Sequence, residues 1–84
     1  MSDEDRSGRI SPAKLTHVWA QIAADIRADI ASGAVQPGEK LPAETDLAAR
    51  YGVARMTVRR AIADLIEQGD VVVLRGRGTF IAEN

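Results

Sequence analysis

The residues of this 84-residue chain best suited to chemistry are arginines, and they fall into two short clusters. Arg55, Met56, Thr57, Arg59 and Arg60 sit within one stretch, and Arg75, Gly76 and Arg77 form a second group near the end. A planar guanidinium presents paired N–H donors, which match a phosphate or the edge of a guanine better than an ammonium does. The pattern therefore points to binding a polyanion rather than to making or breaking bonds. No nucleophile–base pair, carboxylate dyad or metal cluster is recognisable, and Asp64 with Glu67 reads as an ordinary solvated helix edge. Cysteine is absent and His17 is the sole histidine, which excludes disulfides, thiolate metal sites and multi-histidine sites. Neither an enzyme nor a cofactor or metal site is expected.

Net charge at first opposes a nucleic-acid partner, because the formal value is -1. Its distribution favours one. Residues 1–49 hold five Lys and Arg against eight Asp and Glu, whereas residues 50–84 hold six arginines against four acids. The basic half is the half that carries both clusters. The hydrophobic fraction of 45% suits a single small globular domain, and no apolar run approaches the roughly 20 residues that span a bilayer. The acidic start Ser2-Asp3-Glu4-Asp5 is unlike a signal peptide, so a cytoplasmic protein is expected.

The elements that must position the arginines follow from periodicity. Residues 1–12 are polar and aperiodic and read as a flexible N-terminal tail, leaving 13–84 as the folded domain. Apolar residues at 15, 18, 19, 22, 23, 26 and 30 form one helical stripe, with Thr16 near its start, Trp19 as a core anchor and Gly33 as its stop. Pro37-Gly38 marks a tight turn, and Lys40-Leu41 a short strand ended by Pro42. A second helix buries Leu47, Ala48 and Tyr51 and ends at Gly52, after which Val53 plugs into the core. The third runs from about Ala54 or Arg55 to Gln68. It turns Val58, Ala61, Ile62, Leu65 and Ile66 inward and Met56, Arg59, Arg60 and Ala63 outward, with Arg55 at the border.

Val71-Val72-Val73-Leu74 and Thr79-Phe80-Ile81 have strand composition and flank the turn Arg75-Gly76-Arg77-Gly78. They predict a hairpin whose glycine-rich tip lets backbone approach a narrow surface while Arg75 and Arg77 meet phosphates or an electronegative minor groove. No helix follows the Gly-x-Gly, so a nucleotide-binding loop fails on context.

The order helix, short strand, helix, helix, strand, wing, strand is that of a winged helix-turn-helix: a mainly α domain of three helices with a small antiparallel sheet. From about Val18 to Ile81 the chain resembles the DNA-binding domain of the GntR family of bacterial transcription regulators. The resemblance is carried by Ile22-Ala23-x-x-Ile26, Pro37-Gly38-Glu39-Lys40-Leu41-Pro42-x-Glu44, Leu47-Ala48-x-x-Tyr51-Gly52-Val53-x-Arg55-x-Thr57-Val58-Arg59-x-Ala61 and Gly76-x-Gly78-Thr79-Phe80. It implies a regulator, a repressor by preference, whose third helix enters the major groove and whose wing enters the neighbouring minor groove of double-stranded DNA. It further implies a homodimer on an inverted-repeat operator. By motif position Arg55 and Arg59 supply base-edge and phosphate contacts, Thr57 a hydroxyl to the backbone, and Gly76 the wing-tip approach.

Four positions depart from the family pattern. Ala43 replaces a common capping Ser, Thr45 replaces an Arg that often contacts phosphate and retains only a neutral hydrogen bond, and Ala54 and Met56 replace hydroxyl residues. Met56 is left to pack on a thymine methyl. Glu44 has two readings, a helix-start carboxylate or a group that orients an arginine such as Arg59, and the first needs fewer assumptions. The family usually adds a larger C-terminal metabolite-binding domain, and the sequence leaves open whether this chain is a stand-alone domain or a piece of a longer regulator. The rival reading from another class is a protein-interaction module, which would require an apolar outer face on the third helix.

Overall fold

The computed structural model describes residues 4–83. Three helices, α1 (Val18–Ser32), α2 (Glu44–Tyr51) and α3 (Arg55–Glu67), are followed by β1 (Val71–Leu74) and β2 (Gly78–Ile81). The strands pair antiparallel with Val71 opposite Ile81 and Leu74 opposite Gly78. The segment before α2 joins the sheet edge: Lys40 bridges Phe80, the Leu41 amide donates to the Thr79 carbonyl at 2.8 Å, and the Ile81 amide donates to the Glu39 carbonyl at 2.8 Å. The short strand expected at Lys40-Leu41 is thus a single bridge, and it fastens the wing to the start of α2.

The core lies where the three helices meet the base of the sheet. Ile22 and Ile26 of α1, Leu47 and Tyr51 of α2, Val58 and Leu65 of α3, and Val71 and Ile81 of the sheet are all buried. Fully burying a Val, Leu or Ile side chain contributes about 1.5–3 kcal/mol, so these contacts set the helix rotations. The α2–α3 turn depends on Gly52, whose φ of 67° is left-handed and which lies against the Ser7 side chain. An L side chain there would be strained by its own backbone. Val53 follows, half-buried against the core as the turn requires.

Two boundaries differ from the periodicity. The stripe places Leu15 on α1, but the helix begins at Val18 after His17, with no side-chain cap from Thr16 or His17, and Leu15 is fully exposed. Ile66, expected inward, is 42% exposed. It lies at the edge of the α3 inner arc, where the wing stands off from the helix and leaves a groove.

The larger difference is at the N-terminus. The composition of residues 1–12 predicts a flexible tail; its residues 1–3 lie outside the described residues, and residues 6–11 are docked on the helices. Arg6 is only 3% exposed and Ile10 belongs to the core. The Arg6 amide donates to the Arg50 carbonyl at 2.6 Å, and Ser7–Arg9 forms one 3-10 turn. The Gln21 side chain both accepts from the Ser11 amide and donates to its carbonyl, each at 2.8 Å. What overrides the polar composition is charge compensation. The Arg6 guanidinium contacts Asp25 at 2.9 Å and Asp29 at 2.8 Å, and donates to the Tyr51 hydroxyl at 3.2 Å. Tyr51 in turn donates to Asp25 at 2.7 Å. Three separated stretches meet in this cluster, which is why no local pattern announces it.

Burial opposes the Asp25 charge, but the Tyr51 hydrogen bond and the Arg9 and Arg6 guanidiniums outweigh it and hold the carboxyl below its ordinary range. Burial and the Asp25 hydrogen bond push the Tyr51 hydroxyl up, so it stays a donor. Because the folded pKa of Asp25 is depressed, its contribution is present above the unfolded carboxylate value of about 3.9 and is lost as pH falls through the folded value. Removing one member of a buried charge cluster strands the others, and R6M is expected to lose about 2–4 kcal/mol of stability in urea titrations at neutral pH. The wild type is expected to lose stability on acidification below about pH 4, and D25N to lose less. An R6M midpoint equal to wild type would show that the N-terminal segment is not docked in solution.

Candidate nucleic-acid interface

Helix α3 is the element that displays the first arginine cluster. It starts at Arg55 after the extended Ala54, whose carbonyl accepts from the Thr57 amide but which gives no side-chain cap, and it ends at Glu67, within a residue of the bounds that periodicity predicts. Val58, Ala61, Ile62 and Leu65 are buried, which leaves Met56, Arg59, Arg60 and Ala63 exposed on the other side. Met56 is 64% exposed and Thr57 half-buried at the helix start. The exposed arc is therefore a narrow ridge of Met56 and Ala63 flanked by cations, not a broad apolar face.

The two adjacent arginines are drawn to opposite flanks. Arg59 reaches back to α2, where its Nε and one Nη each donate to the Glu44 carboxylate at 3.2 Å. This fork-to-carboxylate pairing bears out the arginine-orienting reading of Glu44, and the helix-start reading holds beside it, since α2 starts at Glu44 itself after Ala43, which gives no side-chain cap. The carboxylate still lies in the first turn of α2, where the helix dipole favours it. The hydrogen bond and the charge of Glu44 raise the Arg59 pKa, so this guanidinium stays charged. Arg60 turns the other way, and its guanidinium carbon lies 4.9 Å from the ring centroid of Trp19 on α1. Trp19, expected as a core anchor, packs against the core while remaining half-buried, which leaves part of its ring to Arg60.

Arg55 is exposed at the first position of α3, and Thr45 is exposed in the first turn of α2. The second cluster is at the wing tip, where Arg75, Gly76 and Arg77 connect the strands and the Arg77 amide donates to the Leu74 carbonyl at 2.9 Å. Gly76 has a φ of 76°, and beyond its own chain neighbours no heavy atom lies within 4 Å of where its Cβ would be. Its requirement is conformational in the free domain, and the tip stays unobstructed. Among the described residues, no ion pair engages Arg55, Arg75 or Arg77.

Between α3 and the wing lies an open groove of about 820 Å³, lined by Arg59, Ala63, Ile66 and Val73, with Lys40 and Glu44 also on its wall. Lys40 is a cation that residue patterning did not single out. Its stem packs so close to Gly78 that a Cβ there would meet Lys40 Cε at 2.7 Å, and the signals at this position were its place in the Pro37–Glu44 motif and in the expected strand Lys40-Leu41, neither of which gave it a role in the groove. Asp64, expected to be solvated, instead pairs with Arg27 of α1 at 2.8 Å, and Asp70 holds the same guanidinium at 2.7 Å. No group of three or more His, Cys, Asp or Glu side chains suited to a metal ion occurs among the described residues.

A helix-turn-helix with an arginine-bearing second helix and a basic hairpin beside it defines a winged helix-turn-helix domain. Residues 19–81 match the profile of the bacterial regulatory proteins of the gntR family. The chain belongs to that family. It is 42% identical over 66 residues to the uncharacterized HTH-type transcriptional regulator YurK of Bacillus subtilis, covering 79% of this chain and 27% of the relative. Against the HTH-type transcriptional repressor NagR of Bacillus subtilis it is 38% identical over the same length, again covering 79% of this chain and 27% of the relative. The DNA-binding domain of AraR, solved in complex with operator ORX1, superposes with a TM-score of 0.78 at 36% identity, covering 86% of this chain and 89% of that one. The chain thus spans about a quarter of the length of these curated relatives.

If Glu44 holds Arg59 in solution, E44Q is expected to speed exchange of the Arg59 Nε proton in NMR spectra while leaving the thermal midpoint nearly unchanged. An unchanged exchange rate would mean that the pair does not restrain the side chain.

Proposed function

We propose that this domain binds double-stranded DNA sequence-specifically as the reading module of a bacterial transcription regulator that represses by occupying an operator in the cytoplasm. The observation that carries this reading is the outer arc of α3, where small or unbranched Met56 and Ala63 lie between two arginines held apart on opposite flanks. A major groove is about 12 Å wide and admits one helix, with phosphates along both walls. On this reading α3 lies in that groove, Arg55 and Arg59 reach guanine edges or phosphate, Thr57 donates to the backbone and Met56 packs on a thymine methyl. Arg60 meets phosphate, as does Thr45 through a neutral hydrogen bond. The wing residues Arg75, Gly76 and Arg77 follow the adjacent minor groove, where narrow A·T-rich segments attract arginine.

The operator-bound AraR domain and the repressor NagR support this assignment over a protein-docking module, as does the cationic outer face of α3. We further propose that two copies act together on an inverted repeat, because a helix-turn-helix dimer reads two half-sites about one helical turn apart.

Selection from a random duplex pool is expected to return a palindromic site. Binding to it should fall steeply with salt, because each arginine–phosphate contact releases counterions. R55A/R59A is expected to weaken binding to the selected duplex about a hundredfold or more and to shrink its margin over unrelated duplexes. Unchanged affinity in that double variant would rule out α3 as the reading helix.

A further inference from the structure

We infer that Trp19 on α1 is a positioning residue that holds Arg60 toward one phosphate wall of the bound duplex, opposite the wall or base edge that Arg59 faces. The inference rests on the DNA-binding reading above and adds to it a residue outside the helix-turn-helix.

Successive residues on an α-helix point about 100° apart. Arg59 shares its flank with Ile62 and Ile66, which line the groove toward α2 and the wing. Arg60 shares its flank with Asp64, which pairs with Arg27 of α1. A long guanidinium side chain on an exposed helix face ordinarily samples many rotamers, and fixing it costs entropy on binding. Here both arginines have a partner on a different neighbouring helix: a carboxylate on α2 for Arg59 and an indole face on α1 for Arg60.

The two partners differ in a way that matters for DNA. Glu44 occupies the N–H donors of Arg59, so that pair must open or share when an acceptor arrives. A ring beneath Arg60 attracts the cation through its π face without occupying its N–H donors in a hydrogen bond to a carboxylate. Trp19 can therefore orient Arg60 while leaving it able to donate to phosphate. The indole is itself held in place, since it packs against the core and the His17 ring lies nearly parallel to it, with centroids 6.3 Å apart and 13° between planes. Trp is the best aromatic partner for a cation, and this is the only Trp in the chain.

The test uses the whole chain and the palindromic duplex returned by the selection, with an unrelated duplex of equal length as the comparison. R60A is expected to weaken binding to both duplexes by a similar factor and to reduce the slope of log affinity against log salt by about 1, as loss of one phosphate contact requires. W19F and W19L are expected to weaken binding in that order, the latter by about two- to fivefold. Neither should cause any further loss in the R60A background, because their effect runs through Arg60.

Losses from W19F or W19L that persist in full in the R60A background would overturn the inference by showing that Trp19 acts only through the core. So would an R60A salt slope equal to wild type. If W19L proves unfolded at the assay temperature, W19F with and without R60A makes the same comparison with the ring retained. Failure of the wild type to bind any duplex would instead defeat the DNA-binding reading itself, so the two failures are distinguishable.

Discussion

The domain depends on the burial of one arc of α3. Val58, Ala61, Ile62 and Leu65 all face the core, and rotating the helix by a single residue would expose part of that arc and bury an arginine. A buried unpaired guanidinium is far more costly than the apolar area it would cover. The rotation of α3 is therefore locked from both sides. With it are locked the directions in which Arg59 and Arg60 leave the helix, which is why two neighbouring residues can serve two different flanks.

The polar interactions refine that frame rather than replace it. The cluster of Arg6, Asp25, Asp29 and Tyr51 joins the N-terminal segment, α1 and α2. Ion clusters of this sort largely offset their own desolvation and add little net stability beyond it. Their effect is geometric: the charges are compensated only when residues 6–10 are docked and α1 and α2 keep their spacing. Arg27 acts similarly between α1 and the end of α3 through Asp64 and Asp70. Every pair of helices is thus tied by a guanidinium, the third being Arg59 on Glu44 between the consecutive helices α2 and α3. Acidic residues that make the whole chain slightly negative are in large part these partners, so they do not form a field opposed to a polyanion.

Much of the architecture was legible in the residue pattern because it rests on local rules. The stop of α1 at Gly33, the turn at Gly52, the span of α3 and the hairpin around Arg75-Gly76-Arg77 follow from left-handed glycines, apolar spacing and β-branched runs. The inner arc of α3 was legible as well, apart from Ile66, because which side is buried depends on spacing alone, while how far the wing covers the edge depends on how the sheet packs. The docked N-terminus was not legible. A polar, aperiodic run carries no sign that a carboxylate pair and a tyrosine from two other helices will surround its arginine.

The same division holds for the interface. By itself the sequence determined that the chain offers arginines on a helix and on a hairpin tip, because composition and period fix which residues are cationic and which face they share. Only the tertiary structure decided what holds Arg59 and Arg60. Glu44 meets Arg59 across the α2–α3 angle, Trp19 meets Arg60 across the α1–α3 contact, and Lys40 reaches Gly78 because a bridge to Phe80 brings two distant segments together. Each of these meetings is set by helix crossing and sheet pairing, and such long-range distances are not encoded in any local window of residues.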